Sequence, residues 1–84
     1  YVYRDNATEK TVVVTIEDEY AIRETLSSIA NKLDFRFVQT HRACFVNIDK
    51  IESVDFKNNI IYLNNDSSID YLSRNYKKKL REIL

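Results

Sequence analysis

Thr11-Val12-Val13-Val14-Thr15-Ile16, then Glu17-Asp18, then Glu19-Tyr20-Ala21-Ile22-Arg23: this stretch decides the class of fold. Six β-branched residues in a row resist a helix and suit a pleated strand. With a period of two, Val12, Val14 and Ile16 share one face, and Thr11, Val13 and Thr15 the other. Glu17-Asp18 supplies turn chemistry, and Tyr20 and Ile22 then face together in a second run. The pair predicts a hairpin.

Outward from this hairpin the pattern repeats. Upstream, Tyr1–Arg4 reads as a strand, followed by a polar turn at Asp5-Asn6-Ala7-Thr8-Glu9. Downstream, Arg36–Gln39 is a strand, His41-Arg42-Ala43 a connection and Cys44–Val46 a short strand or turn. Ile51–Phe56 and Ile60–Leu63 flank Lys57-Asn58-Asn59, a second hairpin. Ser68–Leu72 follows the Asn64-Asn65-Asp66 turn, so residues 53–72 predict a three-stranded meander. The chain has no Gly and no Pro. Its turns therefore rest on Asn and Asp, which tolerate left-handed backbone and bond their own main chain.

Two segments change period. Leu26, Ile29, Ala30 and Leu33 fall at i, i+3, i+4 and i+7, predicting a helix over 25–33 with Thr25 as N-cap. Tyr76, Leu80, Ile83 and Leu84 predict a second helix over 73–84, with Ser73 as N-cap. The class is mainly β with two short helices, in one domain spanning 1–84.

Composition narrows the function. With 84 residues there is room for one small core. The chain begins at Tyr1 and contains no Met, so it reads as excised from a longer protein. No apolar run approaches the roughly 20 residues of a membrane helix. One Cys and one His exclude an intrachain disulfide and a four-ligand zinc site. A small domain without disulfides fits the cytosol. No cofactor motif, phosphate-cradling glycine loop or calcium loop is present.

Thirteen basic and thirteen acidic residues cancel. Their distribution is uneven: residues 71–84 hold Arg74, Lys77, Lys78, Lys79 and Arg81 against Glu82 alone. Lys79 and Arg81 suit the C-terminal end of a helix dipole. Arg74 stands in the first turn, where positive charge opposes that dipole, so its presence asks for another reason. No recognition helix of the helix-turn-helix kind can be placed, because the 25–33 segment carries only Lys32 as a cation. If this chain reads DNA, loops do the reading.

Three stretches together resemble the LytTR family. They are Phe37-Val38-Gln39-Thr40-His41-Arg42-Ala43-Cys44-Phe45-Val46-Asn47, Ile51-Glu52-Ser53-Val54, and Leu72-Ser73-Arg74-Asn75-Tyr76-Lys77-Lys78-Lys79-Leu80. They stand in the family's order and spacing, and the likeness is to accessory-gene-regulator-type response regulators. Ala43 departs from the usual hydroxyl residue, which removes any phosphate bond from that position. The family's first strands are truncated or absent upstream. The resemblance implies an elongated antiparallel β-sheet fold that binds double-stranded DNA at promoter repeats through loops. It further implies an upstream receiver domain of a two-component system and a dimer on DNA.

On that implication Arg42 is the first candidate DNA contact, its guanidinium able to donate two bonds to guanine or to grip a phosphate. Its plain alternative is a surface pair with Asp49. Arg74 is the second, at the family's base-reading position. The 5–10 loop is the third: Asn6 can pair with adenine and Lys10 with a phosphate or guanine, although Asp5 and Glu9 would repel phosphate. Ser73, Lys77 and Lys78 are supporting contacts to the DNA backbone.

Other readings compete. The chain's neutrality fits a protein-interaction or dimerisation module without DNA binding. His41 and Cys44 suggest a thiolate–imidazole pair, but no third group orients it and no glycine shapes an oxyanion loop, so a His bonded within the fold beside a buried Cys is the better reading. Single-stranded RNA binding lacks the aromatic and basic alternation it needs on one strand.

Overall fold

A computed structural model describes residues 1–84. Eight strands appear: β1 (Val2–Asp5), β2 (Lys10–Val14), β3 (Glu19–Ile22), β4 (Phe37–His41), β5 (Cys44–Asn47), β6 (Ile51–Asp55), β7 (Ile60–Leu63) and β8 (Ser68–Ile69). Two helices accompany them, α1 (Leu26–Ala30) and α2 (Arg74–Ile83), with a 3-10 turn at Ile48–Lys50. A five-stranded sheet runs β3-β2-β1-β5-β4 and a three-stranded sheet runs β6-β7-β8. Every pairing is antiparallel. The mainly β class is as the sequence predicts. The molecule measures 32 × 25 × 25 Å, a modest elongation.

The core lies where the two sheets and α2 converge. Val38, Cys44 and Val46 from β4 and β5 pack with Ile61 and Leu63 of β7, Ile69 of β8, Leu72, and Leu80 of α2. Strict alternation places these residues inward: Ile61 and Leu63 are buried while Tyr62 between them is exposed.

Local chemistry moves several element ends from their predicted positions. β2 stops at Val14 because Thr15 starts a turn. Its N–H donates to the Asp18 carbonyl at 2.8 Å, and its hydroxyl accepts from the Asp18 N–H at 3.1 Å. Ile16 is therefore on the turn and 71% exposed, off the face it was expected to share with Val12. Thr11, on the face opposite Val12, is fully buried as well.

α1 begins as predicted, with the Thr25 hydroxyl accepting from the Ser28 N–H at 3.1 Å. It closes early. Lys32 N–H and Leu33 N–H reach back three residues to Ile29 and Ala30, the tighter bonding typical of a helix end. β8 is two residues long, because Leu72 N–H turns back onto the Asp70 carbonyl at 2.9 Å and leads the chain towards α2.

α2 keeps its predicted register, but of its apolar stripe only Leu80 is fully buried, with Ile83 and Leu84 exposed at the tip. Ser73 holds the N-cap position without making the predicted cap bond. The Tyr76 N–H that its hydroxyl would take is bonded to the Ser73 main-chain carbonyl at 3.1 Å.

Candidate nucleic-acid interface

Antiparallel register gathers distant residues at one end of the five-stranded sheet. The β1–β2 connection, residues 6–9, leaves that end, since Asp5 pairs with Lys10. β1 also pairs with β5, and its ladder continues as the Arg4 N–H donates to the Ala43 carbonyl at 2.9 Å. The Arg42-Ala43 turn between β4 and β5 therefore lies beside the start of the 6–9 loop. The Ser73 N–H donates to the Thr40 carbonyl of β4 at 2.9 Å, which brings the start of α2 to this end as well. Asn6, Lys10, Arg42, Ser73 and Arg74 share one end of the molecule.

The register adds two cations that sequence reasoning missed. Thr11 pairs with Ile22, so Arg23, just past β3, stands at the same end as Lys10. Arg4, the last residue but one of β1, stands there too, across from Thr11. Across the sheet the order is Arg23, Lys10, Arg4, Arg42, with Arg74 beyond on α2. Four strand spacings of about 4.8 Å make the sheet's width about 19 Å. The chain's two ion pairs are Lys32–Glu24 at 2.8 Å and Arg36–Asp34 at 2.7 Å, so none of these five cations makes an ion pair. Arg42 makes no pair with Asp49.

The loops are braced from within. The Asp5 carboxylate accepts from the Ala7 N–H at 3.0 Å and the Thr8 hydroxyl at 2.9 Å, which ties one expected repulsive charge into the turn. Glu9 ends the turn in left-handed backbone, φ 56°. The matching turn between β6 and β7 uses Asp55 and Asn59 in the same places. Asp55 accepts from the Asn58 N–H at 3.0 Å, the Asn58 side-chain amide at 2.8 Å and the Lys57 N–H at 3.0 Å, and these bonds hold its carboxyl below the usual range.

Of the supporting lysines, Lys78 is exposed on α2. Lys77 is half-buried and donates to the Phe56 carbonyl at 2.8 Å, tying α2 to the β6–β7 turn. Arg81 lies 4.5 Å over the Phe56 ring and adds to that tie.

His41 and Cys44 do not form a reactive pair. His41 Nδ1 accepts from the Ala43 N–H at 3.0 Å, and its ring meets Tyr71 edge-on at 5.4 Å. Cys44 is fully buried, and burial pushes its thiol up to about 12, far from thiolate at neutral pH. A groove of about 920 Å³ opens at the opposite end of the sheet, lined in part by Tyr1, Ile16, Tyr20 and Leu33, and rimmed by Glu17, Asp18 and Glu19. It contains none of the candidate residues.

A family model described as LytTr DNA-binding domain matches residues 1–84. The chain belongs to the LytTR family. LytTR domains are DNA-binding and non-catalytic, typical of the output part of response regulators. Among solved structures, a LytTr DNA-binding domain from Bacillus cereus, assigned by its description to a methyl-accepting/DNA response regulator, is similar in fold. Its TM-score is 0.82 at 20% identity, covering 98% of this chain and 76% of that one. No curated protein matches the sequence. No helix is long and apolar enough to cross a membrane.

Proposed function

We propose that this LytTR domain binds duplex DNA sequence-specifically through the side chains of three segments: Lys10 and Asn6 from the β1–β2 loop, Arg42 from the β4–β5 turn, and Arg74 from the first turn of α2. Arg42 and Arg74 read base edges, each with a fork that matches guanine O6 and N7. Ser73, Lys78 and Lys77, with Arg4 and Arg23 in the row, contact phosphates and set the register. In the whole protein the domain is the cytoplasmic output of a two-component transcription regulator. An upstream receiver domain controls it, and two copies occupy promoter repeats.

One observation carries this reading: residues from positions 4 to 74 converge on one sheet end as unpaired cations, in a chain of zero net charge. Selection from random duplex DNA, followed by anisotropy titrations of the selected site at several salt concentrations, tests it. Steep salt dependence with a surviving sequence preference is expected. Arg42→Ala and Arg74→Ala should each cost about 1–3 kcal/mol and relax preference at one base position. Wild-type affinity in both variants would overturn the assignment.

A further inference from the structure

We propose that His41 is a positioning residue for Arg42, holding the β4–β5 turn through its Nδ1 rather than touching DNA itself. The inference rests on the reading of Arg42 as a DNA contact.

The Arg42-Ala43 turn uses no left-handed backbone, and Ala43 is fixed on both sides. Its N–H donates to His41 Nδ1 at 3.0 Å, and its carbonyl accepts from the Arg4 N–H at 2.9 Å. The first bond closes a local ring over Arg42, as an Asn side chain does when it bonds the N–H two residues on. The second fastens the turn to β1.

His41 is fixed in its turn. A register shift between Gln39 and His41 re-aims the end of β4, as bulges do. The His41 ring then meets Tyr71, whose own ring lies 5.3 Å from Tyr3 on β1. With Nδ1 accepting from a main-chain N–H, the ring carries its proton on Nε2. The stack runs Tyr3, Tyr71, His41, so the His41 ring closes on the segment leading into α2 while that segment's Tyr71 reaches β1, the strand that bears Arg4. Loss of the ring's acceptor frees the Ala43 N–H and lets the Arg42 backbone sample other turns, so the guanidinium must be ordered at the moment of binding.

Two substitutions separate the ring's two nitrogens. In His41→Asn the amide oxygen replaces Nδ1. In His41→Gln it replaces Nε2. Affinity for the selected duplex is measured by anisotropy for both, for His41→Ala, for Arg42→Ala and for the double variant, after circular dichroism shows each to be folded at the working temperature. His41→Ala and His41→Gln should bind about three- to tenfold more weakly, as the loss of one hydrogen bond predicts, and His41→Asn should stay near wild type. In the Arg42→Ala background, His41→Ala should cost nothing further, since it acts through the missing side chain.

Additive losses in the double variant would overturn the proposal, as would rescue by Gln instead of Asn, which would mark a direct contact from Nε2. Unchanged binding in Arg42→Ala would instead defeat the reading of Arg42 itself. A stability loss in His41→Ala with unchanged affinity of the folded protein would reduce His41 to a purely structural residue.

Discussion

Three non-glycine residues, Glu9, Asn59 and Asp66, take positive φ, and each closes a hairpin turn. Two are the Asn and Asp types that a glycine-free chain must use there, and the sequence announces them through its polar clusters. Glu9 was not foreseeable, because its type disfavours left-handed backbone, which costs roughly 1–2 kcal/mol outside Gly, Asn and Asp. Glu9→Asn should therefore raise stability by about 1 kcal/mol. Thermal unfolding should show Tm about 4–8 °C higher for a domain of this size. The same change removes a carboxylate from the cationic end, so DNA affinity should rise with it; a lower Tm would show that Glu9 makes a compensating contact. Cys44 offers a second check. A thiol pushed up to about 12 by burial should resist alkylation at pH 8 in the native state and react readily once unfolded. Equal rates in both states would contradict its placement in the core.

At the scale of elements, existence and type followed from periodicity, and ends did not. The alternation in Ile60–Leu63 marks β7 because one face is buried and the other exposed. The end of β2 at Val14 depends on Thr15 bonding Asp18, a local competition that a run of β-branched residues hides. The two helix starts make the same point. Thr25 and Ser73 look equally good as N-caps in sequence, yet only Thr25 bonds a helix N–H with its side chain, since the Tyr76 N–H at the start of α2 goes to the Ser73 main-chain carbonyl. Thr25→Ala should cost about 1 kcal/mol of stability. Ser73→Ala should cost almost none and should weaken DNA binding, since its hydroxyl has no cap bond and is available to phosphate. Chemical denaturation and anisotropy on the two variants check the contrast. Equal destabilisation by both would show that Ser73 caps α2 in solution.

Across the whole molecule the zero net charge conceals a polarity. Arg4, Lys10, Arg23, Arg42 and Arg74 mark one end of the five-stranded sheet, while Glu17 and Asp18 of the β2–β3 turn and Glu19 at the start of β3 lie at the other. Arg42 and Arg74 could be read from the sequence through motif likeness. Arg4 and Arg23 could not, because only the pairing of β1 with β2 and β5, and of β2 with β3, brings them to the end of the sheet where Lys10 stands, Arg23 across from Lys10 and Arg4 across from Thr11 on the other face. From Lys10 to Val14 the strand rises about 14 Å, at roughly 3.4 Å per residue. That exceeds a Debye length of about 8 Å at physiological salt. DNA at the cationic end should therefore hardly sense the acidic turn. Neutralising Glu17, Asp18 and Glu19 together adds three positive units to the net charge and should change affinity at 150 mM salt less than about twofold. Arg23→Ala removes one unit and should both weaken binding and lower the salt slope by about 1. Arg4→Ala should do the same. Salt titrations on a common duplex decide the matter: if the triple acidic variant gains as much as Arg23→Ala loses, net charge governs binding and the ordered row of cations has no special part in it.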